Sequence, residues 1–349
     1  MPTQFGFIIV AAEMTTDEAL VERITGDYVA ALEALGGERL SSALMDDPRP
    51  LFLLVATGGA EKAILDLRAQ RGAHAPDEPV FLIAHPGNNA LPASLEVLAR
   101  CQQEGAPGRI FYLDGPEDEA GLRQIATAAG DLSVRRSLRE SRIGLIGDPS
   151  DWLVASMPNP TIVQEVWGPK VVPIAMEELT SRLAQIPEAT LERHLDDLTS
   201  EANEIREPSA EALMDVVRVY AALRALVEEH ELDALTLRCF DLVLELQTTG
   251  CFGLAELTDE GIIAGCEGDL VSTVGLLWAA KLLDATPWMA NPAQVDEAAN
   301  AMWLAHCTVP RTLVEGYRLR SHFESGLGVG IQGTLPTGPV TLLRIGGVE

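Results

Sequence analysis

Two carboxylates and an imidazole are the residues of this chain whose types and spacing can do chemistry. Residues 261–283 read G-I-I-A-G-C-E-G-D-L-V-S-T-V-G-L-L-W-A-A-K-L-L. A short apolar run, Ile262 to Ala264, meets Gly265, and Glu267 and Asp269 follow around Gly268. Apolar residues then recur at Leu270, Val271, Val274, Leu277, Trp278 and Leu282, the period of a helix. The carboxylates therefore fall at a strand-to-helix junction, where open α/β sheets place their sites. Downstream, His306 ends a second apolar run, Trp303-Leu304-Ala305. Carboxylates with an imidazole form a ligand set for a divalent cation such as Mn2+.

Each of these residues also has a purely structural use. An acid at a helix start is favoured by the helix dipole, which alone accounts for Glu267. Asp269 directly precedes the helical run, so it reads equally as an N-cap and as a ligand or acid. His306 taken alone reads as a hydrogen-bonded core histidine. Trp152, Trp278, Trp288 and Trp303 are candidates for the wall of a ligand pocket, with apolar core as the alternative.

The elements that must position these groups follow an α/β rhythm. Residues 5–12, 51–56, 80–84 and 109–113 read as strands, and helical patterns cover 17–36, about 61–70, the stretch up to about 103, and 114–141. Glycine turns at Thr57-Gly58-Gly59-Ala60-Glu61 and His85-Pro86-Gly87-Asn88-Asn89 would lie at the carboxyl edge of a parallel sheet covered on both faces. The first of these turns is neither a dinucleotide fingerprint nor a P-loop. A fresh first strand starts at Arg142, and further strands are expected at 171–174 and 234–240, with helices at about 177–186 and 209–231. The expected division is an α/β domain over 1–141, a second over 142–300 that carries the acidic motif, and a β-rich segment over 301–349. That last segment is glycine-rich, with alternating runs such as 338–345, and is too short to close a barrel. It packs on the α/β body, pairs with another subunit, or begins a longer domain.

Composition narrows the function classes. The 349 residues carry 52 acidic and 25 basic side chains, a formal charge of −27. Such a surface repels nucleic acid and anionic membranes. No apolar run reaches the length of a membrane span. The first residues lack the basic region of a signal peptide, and 5–12 reads as a first strand instead. The five cysteines include no C-x-x-C pair, which argues against a disulfide framework or zinc ribbon and fits a reducing cytoplasm.

G-D-P-S-D-W-L-V-A-S (147–156), G-I-I-A-G-C-E-G-D (261–269), L-A-H-C-T-V-P (304–310) and S-H-F-E-S-G-L-G-V-G-I-Q-G (321–333) together resemble the L-fucose/L-arabinose isomerase superfamily, and most closely its shorter fucose isomerase-like branch. T-G-G-A-E (57–61) and A-H-P-G-N-N-A-L-P-A (84–93) fit the same branch, so the resemblance spans residues 5–345. It implies two Rossmann-like parallel-sheet domains followed by a β-rich C-terminal segment, and a cytoplasmic homo-oligomer, a trimer or hexamer. It also implies aldose–ketose isomerisation of a small-molecule sugar with Mn2+ or another divalent cation. By that resemblance Glu267 is a metal ligand and candidate base, and His306 a ligand. Where the family has a second acidic ligand this chain reads Trp288-Met289-Ala290-Asn291-Pro292. Asn291 offers a carbonyl oxygen but no base, with Asp269 or Asp296 as compensating acids. The late histidine of the larger enzymes has no clear match, since His322 is the only later one.

The expected site therefore has Glu267 and Asp269 as catalytic groups and Glu267, His306 and Asn291 as metal ligands. Substrate contacts are expected from His85, Asn88, Trp152, His306 and His322, with Arg238, Asp241 and Glu324 as weaker candidates. An enediol isomerase needs a base above the C2–H bond and an electrophile for the developing enediolate. The competing expectation is a non-catalytic carbohydrate-binding or regulatory relative, motivated by Asn291 and the short C-terminal segment. A third is a subunit that completes a partner's site.

Overall fold

The structure, a computed structural model, describes residues 4–15 and 17–346. The outermost positions of the expected first and last segments, 1–3 and 347–349, lie outside the described residues. The chain forms two compact units, residues 1–134 and 135–349.

The first unit runs β1 (Phe5–Val10), α1 (Glu18–Ala34), β2 (Gly37–Arg39), β3 (Leu51–Val55), α2 (Glu61–Gly72), β4 (Val80–Ala84), α3 (Ala90–Gln103), β5 (Gly108–Tyr112) and α4 (Glu119–Glu140), which continues past the boundary. Its sheet has the order β2-β1-β3-β4-β5, and every pairing is parallel. The strands F-G-F-I-I-V, L-F-L-L-V and V-F-L-I-A are apolar on both faces because helices cover both. One face packs Ile8, Val10, Leu53, Val55 and Leu82 with Ile64 and Val97. The other packs Phe5, Phe7, Phe52, Leu54, Phe81 and Phe111 with Leu32 and Ile125. Phe52 is the hub of that face, with its ring centroid 4.9 Å from Phe81, 5.1 Å from Phe5 and 5.6 Å from Phe111. Sequence reading missed β2, since Gly-Glu-Arg is a polar edge with no apolar period.

The second unit continues with β6 (Arg142–Ile146), α5 (Pro160–Val166), β7 (Lys170–Ile174), α6 (Met176–Leu183), α7 (Glu188–Ser200), β8 (Glu204–Ile205), α8 (Ala210–His230), β9 (Ala234–Leu237), α9 (Cys239–Leu246), α10 (Cys251–Asp259), β10 (Ile263–Cys266), α11 (Leu270–Leu283), β11 (Asn291–Asp296), β12 (Ala301–Ala305), β13 (Tyr317–Arg320) and β14 (Gly330–Gly333). Its main sheet is β10-β9-β6-β7, again all parallel. The order reverses direction at β6: β7, the next strand in the chain, lies on one side and β9 on the other. That is a topological switch point, with its crevice at the carboxyl ends of β6 and β9.

The β-rich segment contributes to the core of this unit through Val309, Tyr317, Leu319, Val329 and Ile331. Strand β13 pairs antiparallel with β14 and parallel with β8, and β11 with β12 forms a bulged hairpin. Tyr317 donates its hydroxyl to the Leu198 carbonyl at 2.9 Å, and Arg311 holds Glu256 at 2.5 Å. Two α/β sheets followed by β structure is the architecture expected from sequence. No helix among the described residues is long and apolar enough to cross a membrane.

Two local expectations are corrected, and one helix went unread. The strand expected over 234–240 stops at Leu237, because α9 begins at Cys239. Helix α10 went unread because Cys251, Phe252, Gly253, Leu254, Ala255, Leu257 and Thr258 are all buried, so no polar face marks its period. Residues 338–345 form no strand: Val340 and Leu342 are exposed, and among the described residues no strand pairs with them. Alternation without a partner strand has no ladder to stabilise it.

Replacing Phe52 with alanine should cost about 3–5 kcal/mol, as for other fully buried aromatics. Urea unfolding of wild type and Phe52→Ala checks this, and a loss below about 1 kcal/mol would contradict a packed hub at this position.

Candidate functional site

Glu267 stands at the carboxyl end of β10 in a turn that only a particular backbone allows. Its own φ is +65°, and Gly268 follows at +72°. The left-handed conformation costs a non-glycine residue about 1–2 kcal/mol. Gly268 must be glycine for a second reason: a Cβ there would meet Pro149 Cα at 2.7 Å and the Asp148 carbonyl oxygen at 2.9 Å. The 147–153 loop thus lies directly on the turn, and Ser150 donates its backbone N–H to the Glu267 carbonyl at 2.9 Å. Gly268 donates in turn to the Leu237 carbonyl at the end of β9, 3.2 Å away. The ends of β6, β9 and β10 are tied into one edge at the switch point.

Side chains complete the edge. Trp152, 53% exposed, donates its indole N–H to Glu267 Oε2 at 3.1 Å and sets its ring edge-on to Phe240 at 5.1 Å. Phe240 meets His322 edge-on at 5.9 Å. Arg238 fixes the loop from below, donating to the Pro149 carbonyl at 2.9 Å and to Asp241 at 3.0 Å. Arg238 and Asp241 therefore position the edge. Sequence reading missed Phe240 because an aromatic in an apolar run carries no signal of its own.

His306 reaches this edge from the end of β12. Its Nδ1 pairs with Thr308 Oγ1 at 2.8 Å. Burial pushes its pKa below the ordinary histidine range; the Glu267 carboxylate pulls it up and the His322 ring pushes it down further. The ring is therefore a neutral imidazole at pH 7, and Glu267, His306 and His322 share one electrostatic neighbourhood. Among the described residues, no protein group hydrogen-bonds Glu267 Oε1 or His306 Nε2. These are the two free donor atoms of the site.

The other candidates separate. Asp269 is buried and caps α11: Oδ1 accepts from Ser272 N–H at 2.8 Å, Oδ2 from the Ser272 hydroxyl at 2.7 Å, and Arg344 lies 3.5 Å away. Its oxygens are already engaged, which favours the capping role over the catalytic one. Asn291 pairs across the hairpin with Ala305, so its backbone neighbours His306, but its side chain is exposed and hydrogen-bonds nothing among the described residues. Asp296 is at the far end of β11, accepting from Ala299 N–H at 3.0 Å. His322 is 6% exposed, with Nδ1 turned to Ser325 Oγ at 3.1 Å. Trp278 packs edge-on to Trp167 at 5.6 Å, and Trp288 packs on the core of the unit. His85 and Asn88 belong to the first unit. His85 is 3% exposed, pairs with the Pro86 carbonyl at 3.0 Å and stacks on Tyr28 at 5.1 Å. Asn88 is a turn residue with φ +48°.

A divalent cation at this edge would draw on two of the residues expected to hold it. Glu267 and His306 offer a carboxylate and a neutral imidazole, whereas the exposed Asn291 is placed beside them only through its backbone pairing with Ala305. Among the described residues, however, no third carboxylate, thiol or imidazole gathers with these two within 4.8 Å.

No family model matches the chain. It is similar to the sulfoquinovose isomerase of Alkalicoccus urumqiensis, with 24% identity over 245 residues, covering 68% of this chain and 54% of the relative. The sulfoquinovose isomerase of Priestia aryabhattai is 20% identical over 244 residues, covering 67% and 54%. That of Clostridium sp. (strain MSTE9) is 22% identical over 245 residues, covering 68% and 55%. The chain spans about half the length of the curated relatives it matches.

Two outcomes test this geometry. Glu267→Gly should be more stable than Glu267→Ala by about 1 kcal/mol, because both lose the Trp152 contact and only alanine keeps the left-handed strain; denaturant titration of the pair measures the difference. The depressed pKa of His306 means that the unfolded chain binds its proton more tightly. Stability from this group is therefore complete above about pH 6.5 and is lost as pH falls below it. The urea midpoint of wild type should drop more between neutral and mildly acidic pH than that of His306→Gln.

Proposed function

We propose that this chain is a sugar isomerase that interconverts an aldose and a ketose through an enediol. The named relatives support the reaction class. The observation that carries the proposal is Glu267, with a free Oε1, at a switch-point edge beside the exposed Trp152 and within electrostatic reach of the neutral His306.

The residues divide the work as follows. Trp152 and Phe240 present aromatic surface to the C–H face of a sugar ring or chain. Glu267 removes the proton from C2 and returns it to C1, and its strained turn holds the carboxylate in place before the substrate arrives. Trp152 N–H bonds Oε2, which orients the carboxylate and leaves Oε1 for the proton. His306, neutral at the working pH, bonds a substrate hydroxyl or serves as a ligand. A divalent cation, proposed as Mn2+ held by Glu267, His306 and the Asn291 amide, supplies Lewis-acid stabilisation of the enediolate when bound. The relatives' names make sulfoquinovose the first substrate to test, with L-fucose and L-arabinose beside it.

A second reading, a carbohydrate-binding relative without turnover, is favoured by one observation: among the described residues no second acidic ligand gathers with Glu267 and His306. Proton exchange at C2 in D2O, followed by NMR over that panel, separates the two. Under the isomerase reading one aldose exchanges, Glu267→Gln slows the exchange at least about 100-fold, and exhaustive chelation abolishes it until Mn2+ is restored. Sugar-dependent thermal stabilisation without any exchange would establish the binding reading instead. Exchange that survives chelation would remove the cation from the mechanism.

A further inference from the structure

Behind the aromatic edge, three residues far apart in sequence bring soft ligand atoms together. Cys251 opens α10, Cys307 follows β12, and His322 follows β13. One ligand atom from each lies within 4.8 Å of the others. Cys251 is 2% exposed and His322 6%, whereas Cys307 is partly exposed. Nothing assigned to the proposed isomerase chemistry uses either thiol.

We propose that Cys251, Cys307 and His322 form a binding site for a thiophilic d10 cation, with Zn2+ as its physiological occupant. Two sulfurs and one imidazole nitrogen are a soft to borderline donor set, which suits Zn2+ and disfavours Mg2+ or Mn2+. Three protein ligands leave the fourth tetrahedral position open to water or another small donor. The imidazole is already oriented: its Nδ1 faces Ser325, accepting the backbone N–H at 3.3 Å with the hydroxyl 3.1 Å away, and among the described residues no protein group hydrogen-bonds Nε2. Ligation through Nε2 would leave the ring proton on Nδ1, facing Ser325 Oγ. Ser325 Oγ is itself held by Leu327 N–H at 3.3 Å, so the ring has the outer-shell support usual for metal-bound histidines. Ligation releases the protons of both thiols, so charge balances as a dication against two thiolates.

This site is chemically distinct from the Glu267–His306 pair, although Cys307 Sγ lies 4.0 Å from His306 Nδ1. Its test therefore succeeds or fails independently of the isomerase proposal.

Co2+ is the probe. Titrated into the reduced 349-residue chain after chelation and dialysis, it should give a near-ultraviolet thiolate-to-cobalt charge-transfer band that saturates at one ion per chain and is displaced by Zn2+. The band should vanish in Cys251→Ser and in Cys307→Ser, and persist in Cys101→Ser and Glu267→Gln. Loss of an outer-shell partner lowers metal affinity about 10–100-fold, so Ser325→Ala should weaken Zn2+ binding by about that factor and His322→Gln by more. Circular dichroism checks the fold of each variant, and the partly exposed Cys307 carries the test if the buried Cys251→Ser does not fold. No thiolate band in wild type, or a band that survives Cys307→Ser, would overturn the proposal.

Discussion

The contact between the 147–153 loop and the turn at Gly268 is the constraint on which the second unit's chemistry depends. Gly268 lets the Asp148–Pro149 backbone come within a distance that no side chain would permit. That closeness brings Ser150 N–H to the Glu267 carbonyl and Trp152 to the Glu267 carboxylate. It also requires two successive left-handed residues, one of them not glycine. The strain is of the kind that persists only where surrounding structure over-determines it. Here the surrounding structure is the parallel sheet, whose β9 accepts the Gly268 N–H.

The electrostatics of the edge follow from this arrangement. The chain is strongly acidic, so an isolated imidazole at its surface would be drawn towards its protonated form. His306 is instead held neutral, because burial outweighs the attraction of Glu267 and the His322 ring works in the same direction. A neutral imidazole beside an acid with one free oxygen can take a cation or hydrogen-bond a polyol. Asp269 plays a different part despite standing two residues from Glu267. Its carboxylate is saturated by Ser272 and Arg344, and it starts the helix that the turn leads into.

The C-terminal β segment is part of the same construction. Tyr317, Leu319, Val329 and Ile331 are buried against the second unit's helices, which anchors the loops that carry His306 and His322. Cys251, on an unusually apolar helix, meets Cys307 and His322 through that packing. The second unit thus brings together two donor groups of opposite character: a hard one at the solvent-facing edge and a soft one behind it.

Much of this was legible in residue order. Continuous apolar strands, helical periods and glycine turns determine two parallel α/β sheets, because a strand buried on both faces needs apolar residues at every position. Glu267 at a strand-to-helix junction, and Asp269 one position before a helical run, follow from local spacing alone. What only the tertiary structure decided is partnership: that Arg238 and Phe240 serve the edge, that Trp278 packs on Trp167, that His85 and Asn88 lie in the first unit, and that 338–345 lacks a strand partner. The convergence of Cys251, Cys307 and His322 was equally invisible. The physical reason is common to all of these. Spacing encodes which face of an element a residue occupies, whereas a site is made by contacts between elements whose separation along the chain carries no period to read.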